Sequence, residues 1–265
     1  PTTTVRDHAR GCNMLKLSDM ERVGRTVRRD DPAELGIPTP NLIAEAIDDG
    51  RLAEAKGLAR YGIAEGKSLH DLFCDWIWNL LTDLAARHGE QEVYRALRAT
   101  QGGWMLQRTW KAFLTMDVDA RVQLSAEMMR AHLCGPDQDG AIEVTEDDEK
   151  FTIVMDPCGS GGRMRRGDPV DGTPSRLGPP YEFGVTQAAH DWSFGERGVP
   201  YYCVHCAINE KLPMAWGGHP LWVTDYTSDA AKPCAWRFYK TAEAIPEHYY
   251  TRAGHDKPVP GHGEY

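Results

Sequence analysis

The chain has 265 residues, 39 of them acidic and 30 basic, for a formal charge of −9; 41% are hydrophobic and 26% charged. This composition is ordinary for one large soluble domain or two modest ones. The negative balance argues against nucleic acid or an anionic membrane as the main partner, and no apolar run approaches the roughly 18 residues of a membrane span.

The opening residues Pro1 to Asp7 hold no apolar signal core, so secretion is unsupported. Seven cysteines, an odd number unevenly placed, suit a reducing, cytoplasmic setting with thiols free or on metal.

Residues 1–40 read as a polar extension punctuated by Pro32, Pro38 and Pro40, with a short helix over Leu17 to Arg28 after the cap Ser18. Residues 41–135 read as a helical region. Asn41 caps a helix from Leu42 to Ile47, and Arg51 to Glu65 continues to Gly66. Leu69, Leu72, Phe73, Trp76, Ile77, Leu80, Leu81 and Leu84 then recur at steps of three and four. That is one apolar stripe on a helix of about twenty residues, capped by Ser68 and stopped at Gly89. Glu90 to Thr100, Trp104 to Leu114 and Val118 to Leu133 follow as helices, broken at Gly102-Gly103 and Met116-Asp117. Trp76, Trp78, Trp104 and Trp110 are read as core, and His70 and Cys74, four apart on one face, as structural.

At Cys134-Gly135-Pro136 the composition shifts, and residues 136–245 read as an α+β region. Ala141 to Thr145 and Lys150 to Met155 alternate as a hairpin that runs into Cys158. Residues 167–184 are a Pro- and Gly-rich loop. A helix begins near Cys203, Leu221 to Tyr226 and Ala235 to Tyr239 are strands, and residues 246–265 are a surface tail.

Four cysteines crowd the last third: Cys158 in D-P-C-G-S-G-G-R-M-R-R, Cys203 and Cys206 in Y-Y-C-V-H-C, and Cys234 in C-A-W-R-F-Y-K. Two cysteines three apart grip one zinc from a single turn, and thiolate with imidazole is the donor set zinc prefers. Redox enzymes use the same spacing, but usually early in a thioredoxin-like unit. Cys158, Cys203, Cys206 and Cys234 are therefore the expected zinc ligands, with His205 or His190 as substitutes. The glycines after Cys158 lack the pattern of a phosphate loop or a nucleophile elbow, and leave Arg163 as an anchor for a carboxylate. In H-D-W-S-F-G, His190 beside Asp191 is a candidate proton carrier, with Trp192 as an aromatic wall. His205 is a second candidate catalytic group, and Tyr202 a second candidate for substrate contact.

The run T-D-Y-T-S-D-A-A-K-P-C-A-W-R-F (Thr224 to Phe238) resembles the closing C-x-[WF]-R-F motif of the L-2-amino-thiazoline-4-carboxylic acid hydrolase-like family. Cys158 after a strand and the Tyr201-Tyr202 approach to Cys206 fit the same pattern, over roughly residues 141–240. That family is similar to vinyl-reductase-type ligand-binding domains. The resemblance implies helices paired with a small antiparallel sheet, and a structural zinc on cysteines beside a small-molecule pocket. The chain lacks the second cysteine that the zinc-binding relatives carry shortly before the last one.

The expected architecture is thus α+β: a helical N-terminal half packed on a small antiparallel sheet that carries a Cys/His metal site. Two functions stand open. One is a zinc-dependent hydrolase or lyase acting on a small carboxylated or cyclic molecule. The other is a small-molecule-binding sensory module whose zinc only staples the fold. Homo-oligomer formation is an open option for either.

Overall fold

In this computed structural model, residues 17–21, 24–132, 142–168 and 171–259 are described. Cys134, Ala141, His262 and the side chain of Trp110 lie outside the described residues. The chain forms two compact units, 1–66 and 67–265.

In the first unit, the stretch expected to be helical from Leu17 to Arg28 is a hairpin instead. Strands β1 (Leu17–Met20) and β2 (Arg25–Arg28) pair antiparallel, with Leu17 opposite Arg28. Gly24 at φ +63° turns the chain as no helix interior can. The β-branched Thr26 and Val27 favour a strand, and Thr26 donates across it to Asp19 Oδ1 at 2.6 Å. Helix α1 (Thr39–Asp48) has Pro38 at its N-cap and Pro40 in its first turn, where a missing N–H goes unfelt, so Asn41 sits inside the helix rather than capping it.

Helix α2 (Leu52–His88) is continuous over 37 residues. Neither Gly66 nor Ser68 interrupts it, because a glycine keeps its N–H and costs only about 1 kcal/mol relative to alanine in a helix. Within the second unit its buried face is Asp71, Cys74, Trp78 and Leu81. Six members of the apolar stripe, Trp76 among them, face outward. Of the four tryptophans read as core, Trp78 is fully buried and Trp104 is exposed like Trp76.

After α3 (Gln91–Thr100) the chain does not break at Gly102-Gly103. It passes through a wide π-helical turn, Gln101–Trp110, into α4 (Lys111–Thr115). Gln101 is buried there and donates to the His205 carbonyl at 3.0 Å. Helix α5 (Val118–Arg130) starts where Asp117 accepts from Ala120 N at 2.8 Å, a side-chain cap.

Four antiparallel strands make the sheet: β3 (Glu143–Glu146), β4 (Lys150–Val154), β5 (Val223–Asp225) and β6 (Ala235–Tyr239), in the order β3-β4-β6-β5. Ile153 lies opposite Trp236 and Phe151 opposite Phe238. Ile153, Trp236 and Phe238 turn their side chains into a core with Val122 and Ala126 of α5, Phe113 and Trp222. Full burial of each large apolar side chain contributes about 1.5–3 kcal/mol.

Between β4 and β5 the chain forms α6 (Gly161–Arg166), a long irregular segment and α7 (Val204–Gly217). The irregular segment is anchored on α2: Trp78 Nε1 donates to Gly184 O at 2.8 Å, and Arg176 Nε donates to Asp75 Oδ1 at 2.9 Å. The stretch read as a surface tail contains α8 (Glu247–Arg252), with Tyr249 and Tyr250 buried. Arg252 grips the buried Glu210 of α7 through Nε (3.0 Å) and Nη2 (2.6 Å), which docks α8 against α7.

The architecture is α+β, helices with a small antiparallel sheet, but the sheet does not carry the expected Cys/His metal site. Among the described residues, the ligand atoms that converge within 4.8 Å of one another belong to Asp71, Asp168 and Asp171. A zinc held at 2.3 Å needs sulfurs about 3.8 Å apart on a tetrahedron. The cysteines meet around a cavity without closing to that spacing.

Candidate functional site

Strand β4 leads through Asp156-Pro157 to Cys158, and the chain turns at once into α6. The glycines of G-S-G-G are required by close approach. A Cβ on Gly161 would lie 2.5 Å from Cys203 Sγ, and one on Gly162 would lie 2.7 Å from Cys158 Cβ. Cys203 is the N-cap of α7, so Cys206 stands about one turn further on. Cys234 immediately precedes β6.

All four of these cysteines line one cavity of about 20 Å³, with Arg165, His205, Thr224, Tyr226, Phe194 and Trp236. That volume admits one or two water-sized groups.

Burial pushes the thiols of Cys203, Cys206 and Cys234 up, above the ordinary thiol range. Burial likewise holds His205 below its ordinary value, against the raising effect of its bond to Tyr202. Its Nδ1 donates to the Tyr202 carbonyl at 2.5 Å, which leaves Nε2 to accept from the Cys206 thiol at 3.4 Å.

Arg165 brings the positive charge. It is 4% exposed, and its Nη1 donates to Thr227 O at 2.7 Å and to the Tyr226 hydroxyl at 3.2 Å. No carboxylate pairs with it among the described residues. Burial works against its charge, and Cys203, Tyr226, Cys234 and Cys158 favour that charge only in their ionised forms. Its Nε and the Thr224 hydroxyl are both buried without a hydrogen-bond partner. The cavity therefore joins one buried cation, one unmet donor and one unmet hydroxyl in a wall of thiols and rings.

The carboxylate group is a second cluster, between α2 and the segment after α6. Asp71, Asp168 and Asp171 could in principle hold a metal ion. Lys67 already stands among them, its Nζ 3.1 Å from Asp71, 2.7 Å from Asp168 and 2.5 Å from Asp171. Arg163 adds bonds of 2.8 Å to Asp71 and 2.9 Å to Asp168. His70 Nδ1 lies 3.1 Å from Asp71 Oδ1; burial would lower its pKa, but the bond to Asp71 and the thiol of Cys74 raise it to about 9. Three carboxylates thus face three cations, and Asp71 is held well below the usual range despite its burial.

Of the residues singled out from sequence, Cys158, Cys203, Cys206, Cys234 and His205 come together at the cavity. Arg163 lies in the carboxylate network. Tyr202 is half-buried and not among the residues lining the cavity; its hydroxyl lies 3.1 Å from Cys74 Sγ. His190 stacks on Trp192 at 4.1 Å and meets Glu90 Oε1 at 2.6 Å, while Asp191 pairs with Lys211 at 2.8 Å. His190, Asp191 and Trp192 are not among the residues lining the cavity.

Sequence reasoning noted Arg165 with Arg163 and Arg166 as guanidinium groups suited to a carboxylate or phosphate but chose Arg163 as the anchor, and it passed over Thr224. The signal for Arg165 was present in R-M-R-R: residues two apart on a helix point to opposite faces, so Arg163 and Arg165 cannot serve one site. Lys67 and Asp71 are an i,i+4 pair on α2, but Asp171 lies 104 residues beyond Lys67, so the meeting of the cluster gave no local signal.

Comparison of the chain with family models, with curated proteins and with solved structures found no match.

Proposed function

We propose that the chain binds a small molecule through an anionic head group, a carboxylate or comparable oxyanion, seated on Arg165 in the cysteine-lined cavity. The observation that carries this reading is the buried Arg165 guanidinium, with no carboxylate beside it among the described residues and its Nε unpartnered there. An uncompensated buried ion costs several kcal/mol, and a bound anion removes that cost. The surrounding thiols of Cys203, Cys206 and Cys234 do not supply the charge, since burial keeps them protonated. Thr224 offers a hydroxyl to a second oxygen, and the cavity fits the oxygens of a head group rather than a ring. A reducing, cytoplasmic setting belongs to this reading and accords with the free thiols of Cys74, Cys158, Cys203, Cys206 and Cys234.

A second reading, a metal-dependent hydrolase or lyase acting on a small carboxylated molecule, is supported by the group Asp71, Asp168 and Asp171. An all-carboxylate set suits magnesium, calcium or manganese better than zinc, and any ion must displace the Lys67 ammonium.

The test is thermal unfolding and calorimetric titration with formate, acetate, glyoxylate and phosphate, against chloride at equal ionic strength. At least one oxyanion raises Tm and binds. Arg165→Gln weakens that binding by about tenfold or more, the worth of one charged hydrogen bond. Binding that survives in Arg165→Gln, or no oxyanion effect on the wild type, overturns the reading.

A further inference from the structure

We infer that the outer face of α2 is the interface at which two copies of this chain associate. Leu69, Leu72, Phe73, Trp76, Ile77 and Leu80 are each between 44% and 62% exposed. Between Lys67 and Thr82 the only other exposed residue of the helix is Asn79, so the face carries no charge. Leu69, Phe73, Trp76 and Leu80 follow the 4-3-4 spacing of a coiled-coil seam, flanked by Leu72 and Ile77. Phe73 and Trp76 are already stacked, with ring centres 6.3 Å apart.

The opposite face, spaced 3-4-3 in Asp71, Cys74, Trp78 and Leu81, is covered by the rest of its own unit. The outer stripe is the more apolar of the two faces, and an apolar helix face is one that a partner covers. Isolated exposed leucines need no explanation, but six contiguous large apolar side chains on one stripe do.

Three observations favour a second copy as the occupant. With about half of each side chain open, and about 150–250 Å² per large ring, the stripe offers roughly 600 Å² per chain. A two-fold pair then buries roughly 1,200 Å² in total, which reaches the size of a specific interface. The absence of charge matches the more apolar character of homodimer interfaces, and one self-complementary patch serves both partners. A lipid surface fits poorly: Arg87, the arginine at the end of the stripe, is paired with Asp83, and the chain carries a charge of −9.

Sedimentation or light scattering on the full chain tests this. The wild type is expected at twice the 29.6 kDa of one chain. Its Tm is expected to rise over about a hundredfold range of protein concentration, as mass action requires of a dimer. Phe73→Glu and Trp76→Glu should each give a monomer with an unchanged far-ultraviolet spectrum. The concentration-dependent Tm of the wild type keeps the test decisive should either variant fail to fold. A monomeric wild type with a concentration-independent Tm overturns the inference and assigns the stripe to a different partner. A dimer that persists in both folded variants overturns it as well.

Discussion

The ammonium of Lys67 lies 2.7 Å from Asp168 Oδ2, in the position that a metal ion held by Asp71, Asp168 and Asp171 would occupy. All the groups involved except Asp171 are buried, so removing the lysine leaves carboxylates facing one another with too little positive charge. Lys67→Ala should lower stability by about 3–5 kcal/mol, the usual effect of breaking a buried ion pair. Excess Mg2+ or Mn2+ should restore part of that loss in the variant and leave the wild type unchanged. Denaturant unfolding with and without the ion checks both. A wild type that is itself stabilised by either ion would show that the ammonium yields, and would favour the metal-dependent reading.

His70 gives the same network a pH dependence of definite sign. Its folded pKa of about 9 lies above the unfolded value of 6.5, so its contribution is complete below pH 6.5 and is lost as pH rises through about 9. The contribution is on the order of 3 kcal/mol at most. Asp71, depressed in the folded state, works at the opposite end: its contribution holds above the ordinary carboxylate range and disappears in strong acid. Unfolding free energy measured from pH 6 to 9.5 should therefore fall for the wild type and fall much less for His70→Gln. Parallel curves would remove His70 from the network.

The sequence made parts of this structure legible and hid others for physical reasons. Alternation in Phe151, Ile153 and Met155 and in Trp236 and Phe238 marks strands, because a half-buried strand must alternate. Period alone could not say which face of α2 the fold covers. Leu69-Phe73-Trp76-Leu80 and Cys74-Trp78-Leu81 both obey helical spacing, and the more apolar stripe is the one left outside. The crowding of cysteines located the cavity, but spacing along a chain does not fix the distance between sulfurs. Arg163 and Asp71 are 92 residues apart and meet only once α6 lies against α2, a contact that no local pattern records.

Thr224 separates a ligand-facing hydroxyl from one that is merely buried. Its backbone is fully engaged: N donates to Glu210 Oε2 at 3.0 Å, and O accepts from Arg252 Nη2 at 2.8 Å. Its Oγ1 is buried without a partner, and Thr224 lines the same cavity as Arg165. Thr224→Val keeps the shape and removes an unmet polar atom, so the ligand-free protein should be as stable as the wild type or more stable by about 1 kcal/mol. Oxyanion affinity should fall about tenfold or more, the worth of one hydrogen bond to a charged group, and Thr224→Ser should retain it. Titration of the three proteins with the same oxyanion decides the matter. Equal affinity in Thr224→Val and wild type would place the bound group on Arg165 alone and turn the head group away from β5.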